Sequence, residues 1–214
     1  CLHLCAVAIE HWEAQARIRQ LAFADALTGL GSRALLAEQL PDLLARAKAL
    51  DREVAVFYAD LDGFRALNAQ RGHKIGDKLL IAVADRIRSG FPHAELVARL
   101  GADEFFVVTT GSAAEGEFER MAEVLSRSLC EPYRLGLDTV LHVGVGIGIA
   151  RYPHDGADLD ALMGRADAAL REVKGSGRPG YAFYTARLDA ETRARQAFER
   201  DVAAAVGAGQ LSLV

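Results

Sequence analysis

With 214 residues, 51% of them hydrophobic and 25% charged, the chain is long enough for one ample core and has the composition of an ordinary soluble globular domain. Its net charge of -4 supplies no basic field for a polynucleotide backbone, which excludes nucleic acid as a partner but leaves room for a small anion held by a few local cations. The three cysteines, Cys1, Cys5 and Cys130, are too few for a disulfide framework or a four-ligand zinc site and fit a reducing cytoplasm, and no stretch approaches the ~20 apolar residues that a membrane span requires.

The N-terminal CLHLCAVAIEHW lacks the basic start and cleavage site of a signal peptide, and the missing initiator Met suggests a true start further upstream. From Ala8 to Ala24 the chain is charged and helix-prone, as a lead-in helix from an upstream domain would be, and DALTGLGSR then breaks it. Ser32 is suited to cap a helix running to about Leu50, with Pro41 predicting a kink or a restart. The almost wholly apolar EVAVFYA, Glu53 to Ala59, predicts a buried central strand.

Helices are expected over Gly63 to Gln70 and Ile75 to Ser89, the second with Leu79, Leu80, Val83 and Ile87 on one face. Two β-prone runs, Leu96 to Leu100 and Glu104 to Thr109, flank a tight Gly-Ala-Asp and predict a hairpin. A helix at Glu115 to Leu129, a short strand near Tyr133, a long strand at Thr139 to Ala150, a helix at Leu159 to Lys174 and a strand at Tyr181 to Tyr184 complete the pattern. The alternation predicts an α/β domain with a mixed sheet covered by helices. After Thr185 an exposed helical run leads to QLSLV, which reads as the first strand of a further domain.

Two acidic clusters carry the chemistry. Asp60-Leu61-Asp62 ends the apolar strand, where carboxylates can hold a hard divalent cation, and Gly63-Phe64-Arg65 opens a helix whose free N–H groups can receive a phosphate. Asp103-Glu104 lies in the predicted hairpin turn. If the sheet sets that hairpin beside the Asp60 strand, Asp60 and Asp103 can share a cation that relieves their repulsion.

The runs DALTGLGSR, DLDGFRALNAQRGHKIGD, RLGADEF, GIGIARYPHDG and ADAALREVKGSGR resemble, in order and spacing, the GGDEF (diguanylate cyclase) family from about Leu21 to Tyr184. The resemblance implies a sheet wrapped by helices like the palm of polymerases and class III nucleotidyl cyclases, with the signature on a β-hairpin. It also implies condensation of two GTP into cyclic di-GMP by a homodimer, with Mg²⁺ or Mn²⁺ as cofactor. Carried over by position, Asp60, the Leu61 carbonyl and Asp103 would bind the metal, with Asp103 also the base for the 3′-hydroxyl and Glu104 supporting the site. Asn68 and Asp77 would read the guanine edge, while Phe64, His73, Gly101 and Ala102 would shape the pocket. Arg65, Lys174 and Arg178 would contact phosphates, Arg65 taking part in catalysis.

Several positions depart from the family pattern. Ala102 replaces the second glycine of the signature, which would strain the turn if that position needs a left-handed backbone. Arg65 replaces a lysine, Asn68-Ala69 an Asn-Asp pair, Ser32-Arg33 an Asn-Arg, and Pro92-His93-Ala94-Glu95 the Arg-x-x-Asp of the product-inhibition site. The ends resemble the exit of a sensory domain such as GAF and the opening of an EAL phosphodiesterase. Residues 1–20 are thus expected to be a linker or signalling helix ending an upstream sensory domain, 21–185 the GGDEF domain and 186–214 a helical linker into the start of a truncated EAL-like domain. An active cyclase is the first expectation, a catalytically silent GTP-binding regulator of an attached phosphodiesterase the second, and a nucleotide-free dimerisation module the third.

Overall fold

The computed structural model describes residues 23–136, 139–175, 177 and 179–186. The expected lead-in helix before Phe23, the helical run and strand after Ala186, and Arg178 lie outside the described residues.

Strand β1 (Glu53–Leu61) is central because both its faces are apolar. On one side it pairs antiparallel with β3 (Glu104–Gly111), on the other with β6 (Val145–Tyr152). Strand β2 (Leu96–Arg99) closes one edge against β3, and β7 (Gly180–Phe183) joins β6 in parallel, giving the order β2-β3-β1-β6-β7. The sheet is therefore mixed, as the sequence predicts. A separate two-stranded ribbon joins β4 (Tyr133–Arg134) to β5 (Val140–Leu141).

Alternation along β1 sorts the core into two layers. Ala55, Phe57, Ala59 and Leu61 face Leu79, Val83 and Ile87 of α3 (His73–Gly90) and Phe118, Ala122 and Leu125 of α4 (Glu117–Cys130). Val54, Val56 and Tyr58 face Leu36, Leu40 and Leu44 of α1 (Arg33–Ala49) and Leu162, Ala166 and Leu170 of α5 (Leu159–Gly175). The short α2 (Phe64–Arg71) follows β1 directly.

Two expectations need correction. Pro41 does not restart α1: it lies on the exposed face of a continuous helix, where water can serve the carbonyl it leaves unpaired, while five buried residues hold the opposite face. The predicted long strand at Thr139 to Ala150 is two strands interrupted at His142–Gly144. The rest follows the sequence closely, with Ser32 capping α1 through a 3.4 Å hydrogen bond from the Leu35 amide.

Candidate active site

The β1–β3 register sets Asp60 directly opposite Glu104, and the Leu61 amide donates to the Asp103 carbonyl at 3.3 Å. The two acidic clusters are thus brought together at one end of the sheet. They line a cleft of about 530 Å³, a volume suited to a small ligand. Leu61, Phe64, Arg65, Asn68, Ala102 and Lys174 contribute the remaining predicted lining. His73 and Asp77 are exposed at the start of α3 and do not line the cleft. Gly101 does not line it either, but it has a steric reason to be glycine: a Cβ there would stand 2.4 Å from Glu104 Oε2.

The start of α2 fits the expected anion receptor. Gly63 supplies the left-handed turn (φ 69°) out of β1 and makes no side-chain capping bond, which leaves the first amides of the helix for other acceptors. Asn68 follows one turn later, its Oδ1 buried without a hydrogen-bond partner. A Cβ at Gly76 would fall 1.9 Å from that oxygen, so glycine on α3 is what gives the amide its space.

Electrostatics single out Asp103. Burial, reinforced by the charges of Asp60 and Glu104, raises its carboxyl above the usual value, with Lys174 acting in the opposite direction. A cation at this place would relieve that strain. Among the described residues no group of three or more His, Cys, Asp or Glu forms a self-sufficient metal cage. The donors present, two carboxylates and backbone oxygens on the rim of an open cleft, instead suit Mg²⁺, which typically takes one or two carboxylates and completes its shell with water and phosphate oxygens.

Two residues outside the predicted set, Tyr58 and Arg99, help build the site, as does Asp62 of the first acidic cluster, to which the family resemblance gave no role. Tyr58, two residues before Asp60 on the same face, lies near Glu104; burial, and then the Glu104 charge, push its hydroxyl far above the ordinary range, so it stays neutral. Asp62 holds Lys174 Nζ at 2.6 Å. Arg99 Nη2 donates to the Ala102 carbonyl at 2.9 Å while Nη1 bonds Asp25 at 3.0 Å, tying the signature turn to the DALTGLGSR segment. The sequence signals for these contacts were only the proximity of Tyr58 and Asp62 to Asp60, and of Arg99 to the signature.

Comparison with known proteins matches this geometry to a family. The family described as "Diguanylate cyclase, GGDEF domain" matches residues 22–179. The bifunctional diguanylate cyclase/cyclic di-GMP phosphodiesterase MucR of Pseudomonas aeruginosa is 39% identical over 194 residues, covering 91% of this chain and 28% of MucR. The cyclic di-GMP phosphodiesterase PdeR of Escherichia coli is 33% identical, covering 90% of this chain and 30% of PdeR. The chain therefore spans less than a third of the length of these curated relatives. Among solved structures, the GGDEF domain of TpbB (YfiN) from Pseudomonas aeruginosa superposes with a TM-score of 0.75 at 32% identity, covering 79% of this chain and 99% of that one. Fold, motif positions and sequence agree, and the chain belongs to the GGDEF family of diguanylate cyclase domains.

Proposed function

We propose that the domain binds GTP with Mg²⁺ and, as a dimer, condenses two GTP into cyclic di-GMP. The observation that carries this reading is the register that sets Asp60 against the Asp103-Glu104 turn, over a cleft that Arg65 and Asn68 also line. Asp60, Asp103 and the Leu61 carbonyl would hold the metal; when bound, it neutralises charge building on the transferring phosphoryl group. Asn68 and Asp77 would meet the guanine edge, Asp77 from the exposed start of α3. Arg65, Lys174 and Arg178 would bind the phosphates. Asp103 accepts the 3′-hydroxyl proton as that oxygen attacks the α-phosphorus of the facing GTP, and the bond to pyrophosphate breaks in line. Repeating the step from the second domain closes the ring and releases the second pyrophosphate, so a lone domain is inactive. The attached sensory and EAL-like segments, and a cytoplasmic setting, belong to the same proposal; among the described residues no helix is long and apolar enough to cross a membrane.

Incubation with GTP and Mg²⁺, with nucleotide binding and cyclic di-GMP read separately, tests the proposal. Asp60→Ala is expected to keep the fold and lower Mg²⁺-dependent GTP affinity at least tenfold, the loss of one charged ligand. Unchanged affinity in the folded variant would remove the metal assignment. Tight GTP binding without product from the dimer would favour the silent regulator of an attached phosphodiesterase.

A further inference from the structure

Lys174 is a fully engaged cation. An ammonium has three hydrogens to donate, and Lys174 Nζ has three acceptors: the Asp60 carbonyl at 2.9 Å, Asp62 Oδ1 at 2.6 Å and the Asp60 carboxylate. Two glycines near the start of β6 make this grouping possible. A Cβ at Gly146 would stand 2.9 Å from Lys174 Cε, and one at Gly144 would stand 2.3 Å from Asp62 Oδ2. The Asp62 amide also donates to the Gly144 carbonyl at 2.8 Å, fixing the backbone from which its carboxylate reaches the lysine. Burial works against the lysine's charge, but the bonds to Asp60 and Asp62 outweigh it and raise its pKa.

In this arrangement no donor of Lys174 is left for a phosphate. One of its three acceptors is the carboxylate that the GTP–metal reading gives to the divalent ion, whereas Asp62 is not among that ion's ligands. We propose that Asp62 is a positioning residue. It retains Lys174 when a divalent cation displaces the ammonium from the Asp60 carboxylate, and the donor set free turns to the phosphates. Metal and triphosphate then assist one another, because each binds best to the state the other favours. This inference rests on the GTP–metal reading and adds to it an exchange of counter-ions at Asp60.

Mn²⁺ binding without nucleotide, followed by electron paramagnetic resonance on the whole chain, tests it through a double-mutant cycle. Asp62→Asn should concentrate the ammonium on Asp60 and weaken Mn²⁺ about tenfold, whereas in a Lys174→Met background the same change should cost no more than about twofold. Equal losses in both backgrounds would mean that Asp62 acts on the metal only through its own charge, and would overturn the proposal. A second measurement needs no variant of Asp62. The chain has four lysines, so with ¹³C-labelled lysine incorporated the Lys174 Cε signal can be assigned by its absence in Lys174→Arg. Mg²⁺ alone should shift that signal in step with site occupancy; an unmoved signal at Mg²⁺ concentrations that support GTP binding overturns the exchange while leaving the GTP–metal reading intact. Failure of the unaltered chain to bind Mn²⁺ even with GTP present overturns both.

Discussion

Ala102 stands where the family signature carries its second glycine, yet the backbone there does not require one. Among the described residues only Asp51 is a non-glycine with positive φ, so Ala102 occupies an ordinary region and its methyl is exposed. The strain expected from the sequence is absent. Ala102→Gly should therefore leave GTP affinity and turnover within about twofold and cost about 0.5 kcal/mol through a more flexible unfolded chain. Titration, steady-state kinetics and urea unfolding on both variants check this. A tenfold gain in turnover would show that the methyl obstructs the bound state. The steric demand lies one residue earlier, where Gly101→Ala must displace the Glu104 carboxylate.

Glycine also governs how the elements meet. On β6, Gly146 and Gly148 lie opposite Asp60 and Tyr58, on the face covered by α5. A Cβ at Gly148 would stand 1.9 Å from the Ala166 carbonyl oxygen and 2.4 Å from the Leu170 amide nitrogen, both backbone atoms that cannot turn aside. Gly148→Ala is therefore expected to destabilise the domain by about 3 kcal/mol, because α5 must lift from the sheet and carry Lys174 with it. Gly164, on the exposed face of α5 with nothing within 4 Å of its Cβ direction, gives the opposite sign: Gly164→Ala should stabilise by up to about 1 kcal/mol through helix propensity. Urea midpoints of the two variants decide both. The contrast also marks what the sequence makes legible. Apolar runs and capping residues locate β1, the β2–β3 hairpin and the helices, since those signals are local. The room Gly144, Gly146 and Gly148 give to Asp62, Lys174 and α5 depends on strand register and helix position, which no spacing within β6 reports. The break at His142–Gly144 belongs to the same class, because its β-prone neighbours mask a glycine needed for a side chain just past the end of β1. The acidic clusters were readable as candidates, but their union at one cleft required the sheet order.

At the scale of the whole molecule, one ion pair joins the first described segment to the site. Asp25 accepts from the Thr28 hydroxyl at 2.6 Å and amide at 2.9 Å, and from Arg99, whose side chain is only 12% exposed and which also holds the Ala102 carbonyl. The Gly31 amide donates to the Val97 carbonyl, and the Arg99 amide to the Gly31 carbonyl, so the segment lies along the edge of β2. Burial raises the Asp25 carboxyl, but the bonds from Thr28 and Arg99 outweigh it and hold the pKa below its ordinary 3.8. A carboxyl depressed by folding contributes stability that is present above the unfolded value and is lost as pH falls through the folded one. Asp25→Asn should thus cost about 1 kcal/mol at pH 7, a figure kept low by solvent at the pair. That deficit should shrink as the pH drops below 3.8. Thermal unfolding of both proteins across that range checks the sign, and a deficit that stays constant with pH would assign the loss to packing. Because Arg99 bridges Asp25 and the signature turn, the variant should also exchange the Leu100 amide, which bonds the Glu104 carbonyl at 2.9 Å, faster than the parent. Faster exchange there at pH 7, with central amides of β1 unchanged, would locate the weakening at the hairpin that carries Asp103.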